Sequence, residues 1–301
     1  MKEQNFISAV VYSDKYSPAN VEFVGKIASC LEEHFMHYEI IVIISGTEPD
    51  LHEELITMKK GGGISFPVSV VNMPLEQSKE QCMNAGLDMS IGDYVYEFDS
   101  AEGGYDFGLI WEAYEEAQRG NDIVSVCPRK ENIMSRMFYR VFNAHSGSIY
   151  PLRTNAFRLV SRRALNRAHA LNVNLAYRKA VYASIGLKMA EIYFDGTVMN
   201  NAPDKVNLAV DSLVLYTAFG YRFSLRFAAV MMLITLAELV YTVVVWVIGR
   251  PVSGWTTMMF VMTLGLTGMF GILAVTLKYL ALIVKLLMNR QNYLIESIEK
   301  L

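Results

Sequence analysis

Cysteine, histidine and surplus positive charge are all scarce in this chain. The three cysteines in 301 residues, Cys30, Cys82 and Cys127, are far apart and form no CxxC pair. That excludes a disulfide framework and reads as reduced core thiols in a cytosolic compartment. The five histidines, His34, His37, His52, His145 and His169, share no metal-ligand spacing, and no HExxH occurs. Each reads as a surface or satisfied side chain rather than a catalyst. A net charge of −3 without a basic stripe excludes nucleic acid as a partner, because nothing would neutralise its phosphates. GxGxxG after the first apolar run, GxxxxGK[ST] and GxSxG are all missing, which removes the dinucleotide fingerprint, the P-loop and the nucleophile elbow. Gly61–Gly63 reads as a connection. No signal peptide is expected, since Met1–Asn5 is charged and Phe6–Tyr12 is too short.

What the chain does have is apolar length near its end. Phe227–Ile248 is about 22 residues with one charge, Glu238, and would reach roughly 33 Å as a helix. Gly249–Gly254 reads as a tight connection. Trp255–Leu277 is a second run with no charge, continuing as a helix to Arg290. The pattern predicts a two-helix transmembrane hairpin. Arg222 and Arg226 precede the first span, and Lys278, Lys285 and Arg290 follow or end the second, against Arg250 alone in the loop. The positive-inside rule then puts both termini and the preceding domain in the cytoplasm. Trp246 and Trp255 suit the membrane interface. Glu238 is expected to face the partner helix or another subunit, because a lipid-facing acid costs about 2.5–3.5 kcal/mol. Gly265, Gly268 and Gly271, with Thr263 and Thr267 nearby, predict a homo-oligomer through close helix approach. Residues 206–223 read as an interfacial helix or equally as a packed core helix.

The first two hundred residues alternate strand and helix. Phe6–Tyr12, Tyr38–Ile44, Pro67–Val71, Tyr94–Phe98 and Ile123–Val126 read as strands. Pro18–His34, Asp50–Lys59, Glu76–Met89 and Phe107–Arg119 read as helices. This order predicts an α/β fold with a doubly wound, mostly parallel sheet and a ligand site at the strand carboxyl ends. The expected domains are 1–203, a juxtamembrane helix 204–222, the anchor 223–290 and a tail 291–301. The fourth strand delivers an acidic turn, Asp99-Ser100-Ala101-Glu102, ended by Gly103-Gly104. Acids at that place hold Mg²⁺ or Mn²⁺ against a diphosphate, because hard cations take oxygen ligands. Asp99 and Glu102 are the expected metal ligands. Asp93 is expected to cap or orient the strand.

Several segments together resemble the family 2 glycosyltransferases, in their polyprenyl-phosphate branch. They are Ala85-Gly86-Leu87, Gly92-Asp93-Tyr94-Val95 leading to Asp99, Ser135–Arg140 with Asn143, Phe157-Arg158-Leu159 and Ser161–Leu165, followed by Tyr221-Arg222 and Leu225-Arg226. The resemblance implies a GT-A fold and a nucleotide sugar bound across the first and fourth strands. It implies sugar transfer to a polyprenyl phosphate at the membrane, with Asp99 and Arg158 catalytic. Tyr12, Asp14, Gly46, Asp99 and Arg129 would bind the donor, and Arg136, Arg153 and Arg158 the acceptor phosphate. The chain departs from the family's pattern at Tyr12-Ser13-Asp14, at Ile44-Ser45-Gly46-Thr47, at Ala101 in the second acid's position, and at Asn155-Ala156. The alternative is a catalytically impaired relative acting as a binding or scaffolding partner.

Overall fold

A computed structural model describes residues 2–13, 18–45, 67–73, 77–101, 104–146, 148–170, 177–196, 219–249, 253–287 and 297–300. The chain forms two compact units, Met1–Lys205 with Asn289–Leu301, and Val206–Met288. The first holds strands β1 (Glu3–Ser13), β2 (Phe35–Ile44), β3 (Val68–Asn72), β4 (Tyr94–Phe98), β5 (Ile123–Pro128), β6 (Phe157–Ser161), β7 (Met189–Phe194) and β8 (Ser297–Lys300). Its helices are α1 (Pro18–His34), α2 (Lys79–Met89), α3 (Gly108–Gln118), α4 (Ile133–His145), α5 (Arg162–Ala170) and α6 (Arg178–Ser184). The sheet order is β7-β5-β6-β4-β1-β2-β3-β8. Only β6 and β8 run against the other strands. The mostly parallel sheet expected from the sequence is present, as are its first five strands. The expected helix Asp50–Lys59 lies outside the described residues.

Pleating sorts the side chains of this sheet into two chemistries. On one face Tyr96, Phe98, Phe157, Leu159, Val124 and Val126 pack against Phe23, Ile27 and Leu31 of α1 and Ile110 and Tyr114 of α3. Phe98 and Phe157 lie with ring centroids 5.2 Å apart. The other face carries a cross-strand row given by the register: Val10, Glu97, Arg158, Ser125 and Glu191. Charges on a buried strand face need partners, and α2 and α6 supply them.

Two glycines permit the close approach of backbone to this sheet. A Cβ at Gly86 of α2 would lie 2.5 Å from Val10 Cγ1 and 2.9 Å from Ile43 Cδ1. A Cβ at Gly92 would lie 2.5 Å from the backbone nitrogen of Ser8. Asp93 ties the start of β4 to β1 as expected: its Oδ2 accepts from Phe6 N at 2.9 Å, and its own N donates to Phe6 O at 2.7 Å. Cys82 and Cys127 are buried and Cys30 half-buried, all free, in keeping with core thiols.

The second unit holds α7 (Phe219–Ile248) and α8 (Trp255–Leu287). Both are long and apolar enough to cross a membrane. They pack together through small and hydroxyl side chains: Ala228, Thr235, Thr242 and Thr263 are buried, and Thr267 Oγ1 donates to Thr235 Oγ1 at 3.0 Å. Gly265, Gly268 and Gly271 have open space beside them. Residues 206–218 of the expected juxtamembrane helix lie outside the described residues, and 219–223 begin α7.

Gly92→Ala is expected to destabilise the sheet by about 1–3 kcal/mol, since backbone must move to admit the methyl. At roughly 2–4 °C per kcal/mol, the melting temperature of the purified protein should fall by several degrees, as read by scanning calorimetry.

Candidate functional site

Asp99 follows β4 directly, at the carboxyl end of the parallel strands and next to the end of β1. This is the crevice where open α/β sheets bind ligands. Its carboxylate is 19% exposed and committed to two cations. Arg158 Nη2 donates to Asp99 Oδ2 at 2.9 Å, and Arg178 Nη2 donates to Asp99 Oδ1 at 2.5 Å. Arg178, with no exposure at all, also donates from Nη1 to Glu97 Oε2 at 2.7 Å and from Nε to Glu80 Oε2 at 2.8 Å. Glu80 further accepts from the backbone nitrogen of Arg178 at 3.1 Å. Tyr182 donates to Glu97 Oε1 at 2.5 Å and lies beneath the Arg158 guanidinium, 5.7 Å from ring centroid to Cζ.

Local sequence explains the assembly. Ser78 and Gln81 form a capping box, with Ser78 Oγ accepting from Gln81 N at 3.3 Å and Gln81 Oε1 from Ser78 N at 3.0 Å. That fixes the first turn of α2 and so places Lys79 and Glu80. Glu97 reaches the α6 face because it alternates with Tyr96 and Phe98. Arg158 sits opposite it on β6.

Burial alone would push the Asp99 carboxyl up. Arg178 and Arg158 outweigh that and hold it well below the usual carboxylate range, with help from Lys179 and Lys79. Burial likewise works against the charged guanidiniums, but Glu97 and Asp99 raise Arg158, and Glu80, Asp99 and Glu97 raise Arg178. All remain charged at neutral pH.

Beside this cluster, on the β5–β6–β7 side, is a solvent-open recess lined in part by Cys127, Arg153, Asn155, Arg158, Lys179 and Glu191. Arg158 Nε and Nη1 and Asn155 Oδ1 are buried without a hydrogen-bond partner among the described residues. Arg153 Nε is 3.5 Å from Glu191 at the rim. Asn143 of α4 pins the segment before β6, accepting from Leu152 N at 2.8 Å and donating to Leu152 O at 3.0 Å.

Of the residues expected from the sequence, Asp99, Arg158 and Arg153 gather at this cluster and its recess. Tyr12 is buried at the end of β1 beneath Lys79, whose Nζ is 5.5 Å from the ring centroid. Arg129 is exposed past β5 and pairs at 3.5 Å with Asp195. Arg136 is exposed on α4. Asp14, Gly46 and Glu102 lie outside the described residues. Arg178, Glu97, Glu80 and Tyr182 are the additions. Glu97 left a signal, as a lone acid inside an apolar strand, and Arg178-Lys179 is a cationic pair opening an otherwise apolar segment.

The described residues do not fit a divalent metal. Among them no group of three or more His, Cys, Asp or Glu side chains stands where an ion could be held. Asp99 has both oxygens on guanidinium groups, and Ala101 is an apolar, buried side chain. Like unit charges about 4 Å apart repel by roughly 4 kcal/mol at an effective dielectric constant of 20, and a divalent ion doubles this for each arginine.

No protein-family model matches the chain. It is 24% identical over 236 residues to an uncharacterized glycosyltransferase of Synechocystis, covering 74% of this chain and 73% of that protein. Among solved structures, glucosyl-3-phosphoglycerate synthase from Mycobacterium tuberculosis, in complex with Mn²⁺, uridine diphosphate and phosphoglyceric acid, superposes with a TM-score of 0.51 at 16% identity, over 70% of this chain and 76% of that one. A mannosyltransferase from Pyrobaculum calidifontis, in complex with GDP-mannose and Mn²⁺, has a TM-score of 0.51 at 14% identity, over 71% of this chain and 63% of that one. These relatives are glycosyltransferases, and the fold shared with them is the GT-A type.

A carboxyl held below its unfolded pKa stabilises the fold fully above that value, about 3.9, and loses this contribution as pH falls through the folded pKa. Stability measured by urea unfolding is therefore expected to drop from about pH 4 downwards. In Asp99→Asn the protein should be weaker at pH 6 and its acid slope shallower.

Proposed function

We propose that the protein is a membrane-anchored glycosyltransferase that moves a sugar from a nucleotide sugar to a polyprenyl phosphate, in the making of a cell-envelope or surface glycan. The observation that carries this reading is the Asp99–Arg158 pair at the carboxyl end of β4, set in a GT-A sheet whose chain also contains two membrane-length apolar helices. In the reaction a phosphate oxygen of the lipid attacks the sugar's anomeric carbon. The bond from that carbon to the diphosphate oxygen breaks, and the nucleoside diphosphate leaves. The nucleophile is already anionic, so no strong general base is needed. The demand falls on positive groups that stabilise the leaving diphosphate. Tyr12 and Asp99 sit on the donor side. Arg158 in the recess wall suits both the leaving diphosphate and the acceptor phosphate, and Arg153 at the rim suits the acceptor alone, as guanidiniums bind oxyanions in a fork.

Further observations support the lipid acceptor and the membrane. On α4, Ile133 and Met137 are 69% and 62% exposed, and Val141 continues their ridge one turn on. Arg136 and Arg140 flank the ridge, also exposed. Apolar side chains beside arginines on one amphipathic helix suit an anionic lipid surface. Strand β8 returns to the sheet that the chain left before α7, so a hairpin of α7 and α8 would put both flanking segments on one side of the bilayer. The basic residues flanking the two helices support the cytoplasm as that side. The open glycine positions on α8 support a homo-oligomer.

One observation favours a second reading, a binding partner without turnover: Ala101 replaces the second acid, and Asp99 is fully engaged. Turnover separates the two. Purified protein in detergent is incubated with UDP- or GDP-sugars labelled in the sugar, plus undecaprenyl phosphate or a soluble phosphorylated acid. The expected product is an organic-extractable sugar lipid, reduced by at least about 100-fold in Asp99→Asn. Labelling of the soluble acid in preference to the lipid overturns the lipid acceptor. Full activity of Asp99→Asn removes Asp99 from the mechanism.

A further inference from the structure

Resting on the nucleotide-sugar reading above, the structure assigns the donor's diphosphate to side-chain cations in place of a divalent ion. We propose that Lys79, Lys179 and Arg158 together neutralise the diphosphate as it binds and leaves.

The carboxylate that would ligate a metal is spent. Both oxygens of Asp99 accept from arginines, at 2.9 and 2.5 Å, and the next acid position is Ala101. Among the described residues, the charges left unspent around it are positive. Lys79 opens α2 and lies over the Tyr12 ring at the end of β1. Lys179 follows Arg178 on α6, lines the recess, and has Tyr139 as its neighbour, with Nζ 3.4 Å from the phenol oxygen. Neither lysine pairs with a carboxylate among the described residues. Both are close enough to Asp99 to help hold it ionised. Arg158 adds two hydrogen-bond donors, Nε and Nη1, with no partner among the described residues, in the wall of the same recess. Among the described residues, four cations of this cluster, Lys79, Arg158, Arg178 and Lys179, thus stand against three carboxylates, Glu80, Glu97 and Asp99. Such a set attracts a dianionic diphosphate and repels Mg²⁺ or Mn²⁺. Lysine ammonium groups suit this as compact point charges that follow the leaving group.

The test uses full-length protein in detergent, titrated calorimetrically with UDP and with GDP, first in EDTA and then with Mn²⁺ or Mg²⁺. One of the two nucleotides is expected to bind in EDTA, with a Kd that changes by less than about threefold when the ion is added. Lys79→Ala and Lys179→Ala should each weaken that binding by about tenfold or more, the loss of a charge-assisted contact, with unchanged melting temperature. Lys79→Arg should restore most of the loss. Binding that requires the ion, binding under neither condition, or lysine variants that bind as well as wild type each overturn the proposal. Turnover distinguishes the two readings. Sugar transfer seen only with Mn²⁺ sinks the cation proposal and leaves the transferase reading intact. Nucleotide binding in EDTA without transfer to any acceptor does the reverse.

Discussion

A guanidinium without solvent contact is tolerable only when anions surround it, and Arg178 has three. Glu80 comes from α2, Glu97 from β4 and Asp99 from the turn beyond it, so one side chain ties together elements distant in sequence. Removing one partner from such a cluster leaves a buried charge uncompensated, typically at a cost of about 3–5 kcal/mol. The arrangement is therefore demanding, and the surrounding details serve it. The capping box sets Glu80, the pleat sets Glu97, and the antiparallel pairing of β6 sets Arg158. The geometry of the crevice is inherited from this cluster.

The cluster also changes what an acid at the end of β4 does. The neighbouring glycosyltransferase structures were solved with Mn²⁺. In this chain the end of β4 presents a carboxylate already clasped by two arginines. Asp99 holds the guanidinium groups of Arg158 and Arg178 in place. The recess on the β5–β6–β7 side extends the same character outward, from Arg158 through Lys179 to Arg153.

Sequence patterning conveys the backbone of this picture better than its chemistry. The apolar runs of β1, β2 and β4 are legible because a buried parallel strand must be apolar, and the two long helices because each is an apolar run long enough to cross a bilayer. Strands β6 and β7 do not stand out as strands. Phe157–Ser161 contains Arg158 and Met189–Phe194 contains Glu191, and a charge inside a short run obscures its period. Helix α4 is hidden differently, its apolar ridge being exposed and its residues known only as a motif around Ser135–Arg140. Asp99, Arg153 and Arg158 could be named from the chain. Arg178 could not, because an arginine in a seven-residue helix looks like any surface cation until the fold brings Glu80 and Glu97 to it.

Strand β8 has a bearing on the order in which the molecule is made. It pairs antiparallel with β3, and every residue of α7 and α8 lies between the two in the chain. During synthesis the sheet must wait with the β3 edge bare while both apolar helices leave the ribosome. An open strand edge is a template for unwanted pairing. Domains fold from the amino terminus as the chain emerges. Strand β8 therefore joins the sheet only after α7 and α8 have been synthesised, and once paired it guards the β3 edge.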